Sequence, residues 1–494
     1  MASHSSIAEA SNQPLSIAVF GASGDLALKK IYPALFALFC QQLLPAHFKI
    51  IGYARTELSH DAFRDRIMRH LTCRYVPGEK CEERMQAFLA ACEYVSGGYD
   101  SIEGYRKLDA AMKCFGPDQA ENRLFYMSIP PFLFLDVANT MHTAGLESRP
   151  PNAWSRVVLE KPFGSDRASS DFLTENMAKV FTEDQTYRID HYLGKEVIQN
   201  LMVLRFANLI FDPIWNRSCI HHVCISWGED IGVEGRAGYF DQYGILRDVM
   251  QNHLLQIMAL AAMEEPIRLD AKYIRDEKVK VLRGVPALTL NDVVIGQYTA
   301  GEHNGAHHKG YLEEEGIPPH SITPTYGAAV LKIHNRRWDG VPFLIRAGKG
   351  LRDRRTEIRI RFREVPANLF TPNSADIAPN ELVIRVQPDA EISFQITTKV
   401  PGLNIALAKN DLNLQYASAF QTIIPDAYEC LLLDVLEGDR SLFIRADELE
   451  AAWDIFTPVL HDLESCTIQP QGYPFGSTGP QAAQALAALH GVEW

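Results

Sequence analysis

The chain has 494 residues, 47% of them apolar and 22% charged, the balance of a folded globular protein long enough for two or three domains. With 48 basic against 61 acidic residues the formal net charge is −13, which sets the surface against phosphate backbones and excludes non-specific nucleic-acid binding. The strongest apolar stretch, 254–263, is too short to span a bilayer, so no membrane partner is expected.

Residues 1–14 are small and polar, with no charged start and apolar run. They read as a disordered tail, not a signal peptide, and the cytoplasm is the expected compartment. Leu15–Phe20 reads as a buried strand ended by Gly21, and 27–44 as a helix with Ile31, Leu35 and Leu38 at helical spacing and Pro33 in its early turns. A strand at 49–53, helices at 62–71 and 84–92, a strand at 123–129 stopped by Pro130-Pro131, a helix at 132–146 and a strand at 156–159 follow. Strands alternating with helices predict a parallel sheet with covered faces, whose ligands bind beyond the carboxyl ends of the strands. From about Thr186 the texture changes. Helices are predicted at 194–206 and 248–263, and alternating stretches at 357–363 and 381–386 predict antiparallel strands.

The turn Gly21-Ala22-Ser23-Gly24-Asp25-Leu26-Ala27 joins the first strand to the first helix. Gly21 permits a tight turn, and Gly24 lets backbone N–H groups approach a pyrophosphate at the positive helix end. A Gly-x-x-Gly-x-x-Ala turn alone is weak; its place between strand and helix strengthens it. The second strand ends in Tyr53-Ala54-Arg55, a cation where NAD-dependent dehydrogenases commonly carry an acid. An arginine fork suits a 2′-phosphate, so the cofactor expected is NADP.

Arg188-Ile189-Asp190-His191-Tyr192-Leu193-Gly194-Lys195-Glu196 packs an acid, a base, a phenol and an amine into a few positions. A helix starting at Tyr192 would put His191, Tyr192 and Lys195 on one side at its positive end, a cradle for a phosphate. The nine cysteines are odd in number, with no Cys-x-x-Cys spacing and no zinc-ligand pattern, so reduced thiols and no metal are expected.

The segment Asp190 to Glu196 resembles the signature of the glucose-6-phosphate dehydrogenase family, and the Gly21 turn is similar to that family's coenzyme loop. Family-like stretches recur at Glu160-Lys161-Pro162-Phe163-Gly164, Gly238-Tyr239-Phe240-Asp241, Arg247-Asp248-Val249-Met250-Gln251-Asn252-His253, Arg337-Trp338-Asp339-Gly340 and Glu381-Leu382-Val383-Ile384-Arg385-Val386-Gln387-Pro388. The resemblance runs from about Ser16 to about Gly491. It implies oxidation of D-glucose 6-phosphate at C1 to the 6-phospho-lactone with hydride transfer to NADP. His253 would be the general base and Asp190 the acid that orients it. On its own residues, His253 lies on a stripe with Val249, Ile257 and Leu260 that reads as core. His191, Tyr192 and Lys195 would hold the 6-phosphate, and Lys161 would touch sugar and coenzyme. Glu229 and Asp248 would bond sugar hydroxyls, with Lys349, Arg354 and Gln387 closing the pocket. Gly21, Ala22, Ser23, Gly24, Asp25, Leu26, Arg55 and Lys161 would hold NADP.

The fold class expected is an α/β Rossmann-like coenzyme domain, 15–189, followed by a larger α+β domain with a mainly antiparallel sheet, 190–494, for substrate binding and oligomerisation. The family forms dimers and often tetramers, so a homodimer or homotetramer is expected. Animal members bind a second, structural NADP. Arg346, Arg355, Arg359 and Arg385 keep cations of that site, whereas Ser393, Gln395 and Thr478 do not, so weak or absent binding is expected. Leu28 and Phe134 depart from a family lysine and tyrosine near the coenzyme. Two other readings stay open: a related sugar oxidoreductase without the phosphate cradle, and an NADP-binding sensor, which would need a broken Asp190 or His253.

Overall fold

A computed structural model describes residues 13–113, 120–367, 369–370, 378–420 and 422–492. The expected tail lies outside these but for its last two residues. The chain forms two compact units: Met1–Gly194 with Ile267–Arg275 and Ile423–Leu449, and Lys195–Pro266 with Asp276–Thr422 and Glu450–Trp494.

The first unit is built on six strands: β1 (Leu15–Phe20), β2 (Phe48–Ala54), β3 (Cys92–Ser96), β4 (Asn122–Met127), β5 (Ser155–Leu159) and β6 (Thr186–Arg188). All pair in parallel, in the order β3-β2-β1-β4-β5-β6. Every residue of β1 is buried, as a strand covered on both faces requires. Strand order reverses between β1 and β4, which opens a crevice at their carboxyl ends.

Several local expectations need correction. The helix after β1 stops at Cys40, not at 44, where Gln42 turns the chain with φ +60°. The helix expected to run through Cys92 ends at Ala90, and β3 follows at once with inward residues Cys92 and Tyr94. Cys73 and Cys81 are not reduced thiols but a disulfide, closed where the short turn Gly78–Lys80 brings their Cα atoms to 5.7 Å. Eight-residue spacing carries no pattern that would have announced it. The helix Ala427–Glu437 also belongs to this unit; Arg156 caps it by donating to the Val435 and Leu436 carbonyls at 2.6 and 2.9 Å.

The second unit carries β7 (Ile220–Gly228), β8 (Val293–Thr299), the small hairpin β9 (Gly301–His303) and β10 (Ala306–His308), β11 (Tyr326–Lys332), β12 (Pro342–Gly348), β13 (Arg355–Phe362), β14 (Glu381–Gln387), β15 (Glu391–Lys399), β16 (Leu407–Gln415) and β17 (Gln471–Pro474). Nine of them form one sheet, β16-β15-β14-β13-β7-β12-β11-β8-β17, antiparallel except for β7 with β12 and β8 with β17. The mainly antiparallel sheet expected from alternation is therefore present. One face packs Cys224, Val330 and Leu344 against Leu486, Ala487 and Val492. The other takes the segment Leu246–Ala262. It comes close at Gly327, where a Cβ would stand 2.6 Å from the Met250 sulfur and 3.2 Å from Leu246 Cδ1. That segment is not one α-helix from 248: Leu246–Leu254 is π-helical and Leu255–Ala262 α-helical. Among the described residues no helix is long and apolar enough to cross a membrane.

Candidate active site

In the first unit the carboxyl ends of the parallel strands bring together residues far apart in sequence. Gly21 follows β1 with φ +74°, and a Cβ there would meet the Ser128 carbonyl oxygen, just past β4, at 2.0 Å. Glycine is therefore required both for the backbone angle and for the close approach of the turn to the backbone past β4. Ala22 is buried, Gly21, Ser23 and Leu26 are half-buried, and Gly24 and Asp25 are exposed at the top of the turn. Gly24 donates to the Gly21 carbonyl at 2.9 Å, and Asp25 pairs with Lys29 at 2.8 Å. A turn with glycines at positions 21 and 24 at a helix start, with an exposed cation past the neighbouring strand, fits a dinucleotide. That cation is Arg55, past β2, with its guanidinium 5.7 Å from the Tyr99 ring centroid. Leu28 and Phe134 are both buried.

Glu160 and Lys161 directly follow β5, and Asp190 stands two residues past β6. Asp190 is 1% exposed; its Oδ1 accepts the Tyr192 N–H at 2.9 Å, and its carbonyl accepts the Leu193 N–H at 3.0 Å. An aspartate that bonds its own backbone two residues on makes a turn. His191 and Tyr192 accordingly sit in that turn and not on a helix, with ring centroids 4.9 Å apart. The helix starts at Glu196, with Lys195 at its N-cap position, so the shared helical face expected for His191, Tyr192 and Lys195 does not form. Gly194 is small because a Cβ would stand 2.6 Å from the Ala427 carbonyl oxygen.

In the second unit two pairs of expected site residues are in contact. Lys195 donates to Gln387 Oε1 at 2.5 Å. Lys349 Nζ lies 2.5 Å from the Glu229 carboxylate, with the Trp227 and Phe240 rings at 5.4 and 5.5 Å around the same ammonium. Asp248 is half-buried and His253 only 2% exposed, both on the π-helical stretch, where the His253 N–H donates to Asn252 Oδ1 at 2.6 Å. π-helical turns are rare and recur at functional sites. Arg354 stays exposed immediately before β13. A separate cavity of about 390 Å³ in this unit is lined by Tyr326, Arg346, Arg355, Glu357, Arg359 and Thr478. Within it Arg359 is held by Glu357 at 2.7 Å and by Glu381 at 2.8 Å.

Sequence reasoning missed Tyr99, Tyr126, Glu160 and Tyr428. Tyr99 follows the unforeseen β3, and the glycines at 97 and 98 were the available signal. Glu160 was visible only as part of a motif. Burial pushes its carboxyl up to about 6, with Asp190 pushing the same way against hydrogen bonds from Tyr126 and Tyr428 and the charge of Lys161.

Two family models cover nearly the whole chain: the glucose-6-phosphate dehydrogenase NAD binding domain over residues 18–200 and the C-terminal domain over 202–494. The chain is 54% identical over 483 residues to the chloroplastic glucose-6-phosphate 1-dehydrogenase 1 of Arabidopsis thaliana, covering 97% of this chain and 83% of that one. It is 44% identical to the cytoplasmic glucose-6-phosphate 1-dehydrogenase 6 of the same plant, covering 97% and 93%. A solved glucose-6-phosphate dehydrogenase in complex with its substrate superposes with a TM-score of 0.91 at 41% identity, over 98% of this chain and 99% of that one.

Proposed function

The chain belongs to the glucose-6-phosphate dehydrogenase family, and from that membership we propose that it oxidises D-glucose 6-phosphate at C1 to 6-phospho-D-glucono-1,5-lactone, opening the oxidative pentose phosphate pathway. It is an NADP-dependent oxidoreductase. The observation that best supports the reading is the row of Gly21, Lys161 and Asp190 along the carboxyl edge of one parallel sheet.

His253 takes the proton of the C1 hydroxyl; an imidazole suits that task because it titrates near neutrality. Asp190 orients the ring and stabilises its charged form, as the acid of an acid–histidine pair does. His191, Tyr192 and Lys195 hold the 6-phosphate, and Lys161 touches sugar and coenzyme. Glu229 and Asp248 bond the sugar hydroxyls, while Lys349, Arg354 and Gln387 close the pocket. NADP, when bound, supplies the hydride acceptor. The turn Gly21, Ala22, Ser23, Gly24, Asp25 and Leu26 receives its pyrophosphate and Arg55 its 2′-phosphate. Residues 15–189 serve the coenzyme and 190–494 the substrate and self-association, as a homodimer or homotetramer that light scattering would size. The cytoplasm is the compartment proposed; with similar relatives named for chloroplast and cytoplasm, cell fractionation is its test.

The deciding assay follows NADPH formation with glucose 6-phosphate in wild type and His253→Asn. Turnover that needs the phosphate and falls about 10²–10⁴-fold in the variant, with both ligands still bound, is the expected result. Wild type that binds NADP without turnover would favour a sensor. Equal turnover of unphosphorylated glucose would favour a different sugar oxidoreductase.

A further inference from the structure

Glu160 precedes Lys161 at the end of β5 and has no part in the scheme above. It is 8% exposed, yet it sits among groups that do have one. Its Oε1 accepts the Tyr126 hydroxyl at 2.6 Å, and Tyr428 donates to the same carboxyl. The Tyr428 ring lies parallel to that of His191, 8° between planes and 6.1 Å between centroids. Tyr428 is itself rigidly mounted in the first turn of the helix Ala427–Glu437. Its N–H donates to the N-cap Asp426 at 3.0 Å, and the next residue, the buried Glu429, is bonded by Arg74 and by the Tyr75 hydroxyl.

A carboxylate is an expensive choice for this place. Asp190, past β6, is close enough to disfavour its charge, and burial does so more strongly. A glutamine would accept hydrogen bonds there without either penalty. What the charge adds is strength: hydrogen bonds to an ionised acceptor are about twice as strong as neutral ones. We propose that Glu160 is a positioning residue for phosphate binding: ionised, it grips the Tyr126 and Tyr428 hydroxyls, and through the Tyr428 ring it sets the orientation of His191. This rests on the reading of His191 as a ligand of the 6-phosphate.

The grip is pH-sensitive by construction. An ionised carboxyl only accepts, so it can serve two hydroxyl donors; a protonated one must also find an acceptor. The groups facing it are Tyr126 on β4, Tyr428 on the helix, Asp190 after β6 and Lys161 beside it. The hold on the substrate should loosen as pH falls through about 6.

The test is steady-state kinetics of wild type, Glu160→Gln, Tyr428→Phe, the double variant and His191→Asn across this range. Near neutral pH, Glu160→Gln and Tyr428→Phe are each expected to raise the KM for glucose 6-phosphate about tenfold with a much smaller change in kcat. Their effects should be non-additive, since one acts through the other. The substrate phosphate also titrates near pH 6, but equally for every protein. The excess KM of Glu160→Gln over wild type should therefore shrink below pH about 6, where wild type loses the same charge. A merely structural glutamate would not give that convergence. Should Glu160→Gln fail to fold, Tyr428→Phe carries the same expectation. A wild-type KM in both, or strictly additive effects, overturns the proposal while leaving His191 in place if His191→Asn still raises KM. An unchanged KM in His191→Asn removes the reading of the site and the proposal with it.

Discussion

Lys349 and Glu229 stand side by side because β7 and β12 run parallel in the register that matches Gly228 with Gly348, so the next residue of each strand emerges at the same edge. The 2.5 Å ion pair between them follows from that register. Lys349→Met would leave a largely buried carboxylate without its cation. A loss of about tenfold to hundredfold in kcat/KM for glucose 6-phosphate is expected, roughly 1–3 kcal/mol. Glu229→Gln in the same background should cost less than it does alone. A double-mutant cycle checks this; fully additive losses would mean the pair does not act as one.

Lys195 and Gln387 form the second such pair, at 2.5 Å. A point charge placed for a phosphate matters only when the phosphate is there. Lys195→Ala should raise the KM for glucose 6-phosphate by about a hundredfold and leave any turnover of glucose itself unchanged, whereas Gln387→Ala should cost about tenfold or less. Parallel assays on the two sugars make the comparison, and equal losses on both would remove the phosphate role.

Gly21→Ala would ask a residue with a Cβ to adopt φ +74° and to stand 2.0 Å from the Ser128 carbonyl. The turn must move, at a cost of about 1–3 kcal/mol. NADP affinity should fall at least about tenfold while the second unit keeps its fold. Calorimetric titration with NADP measures the first, and circular dichroism the second.

Glu160 has a folded-state pKa of about 6 against an ordinary 4.5, so its burial favours the protonated form. The stability it contributes is complete below the ordinary value and is lost as pH rises through about 6. The ionised group costs about 2 kcal/mol at neutral pH. Glu160→Gln should therefore melt at a higher temperature than wild type near neutrality, with the difference vanishing toward pH about 4.5. Melting curves across that span settle it, and a lower melting point at neutral pH would contradict it.

The cavity beside β13 brings Arg346, Arg355 and Arg359 together, yet Glu357 is among its walls and Arg359 is already neutralised by two carboxylates. Purified protein should carry no tightly bound NADP beyond the catalytic equivalent, and Arg359→Ala should leave NADP stoichiometry unchanged. Mass spectrometry under native conditions counts it directly.

Four of the six strands of the coenzyme half were legible because a parallel sheet covered on both faces demands nearly continuous apolar runs, whereas the short β3 and β6 were not. Leu15–Phe20 is apolar but for Ser16 and buried throughout, and Gly21 after it marks a turn. The site motifs were legible too, since Asp190 to Lys195 concentrates chemistry in a few positions. Its local geometry was not. Helical spacing suggested a shared face, but the Asp190 carboxylate bonds its own downstream N–H and delays the helix to Glu196. Nor does a 3.6-residue stripe through Val249, His253 and Ile257 reveal a π-helical stretch. That depends on how the segment fits over Gly327 and its strand.

Residue types, the alternation of strands and helices in the coenzyme half, and the coenzyme turn were thus determined by the sequence alone, because short-range periodicity and backbone constraint act within a few residues. The pairing of Lys349 with Glu229, the closure of Cys73 on Cys81 and the setting of Glu160 between Tyr126 and Tyr428 were decided by the tertiary structure. Each joins residues whose meeting depends on register, burial and the return of distant chain, which no local pattern encodes.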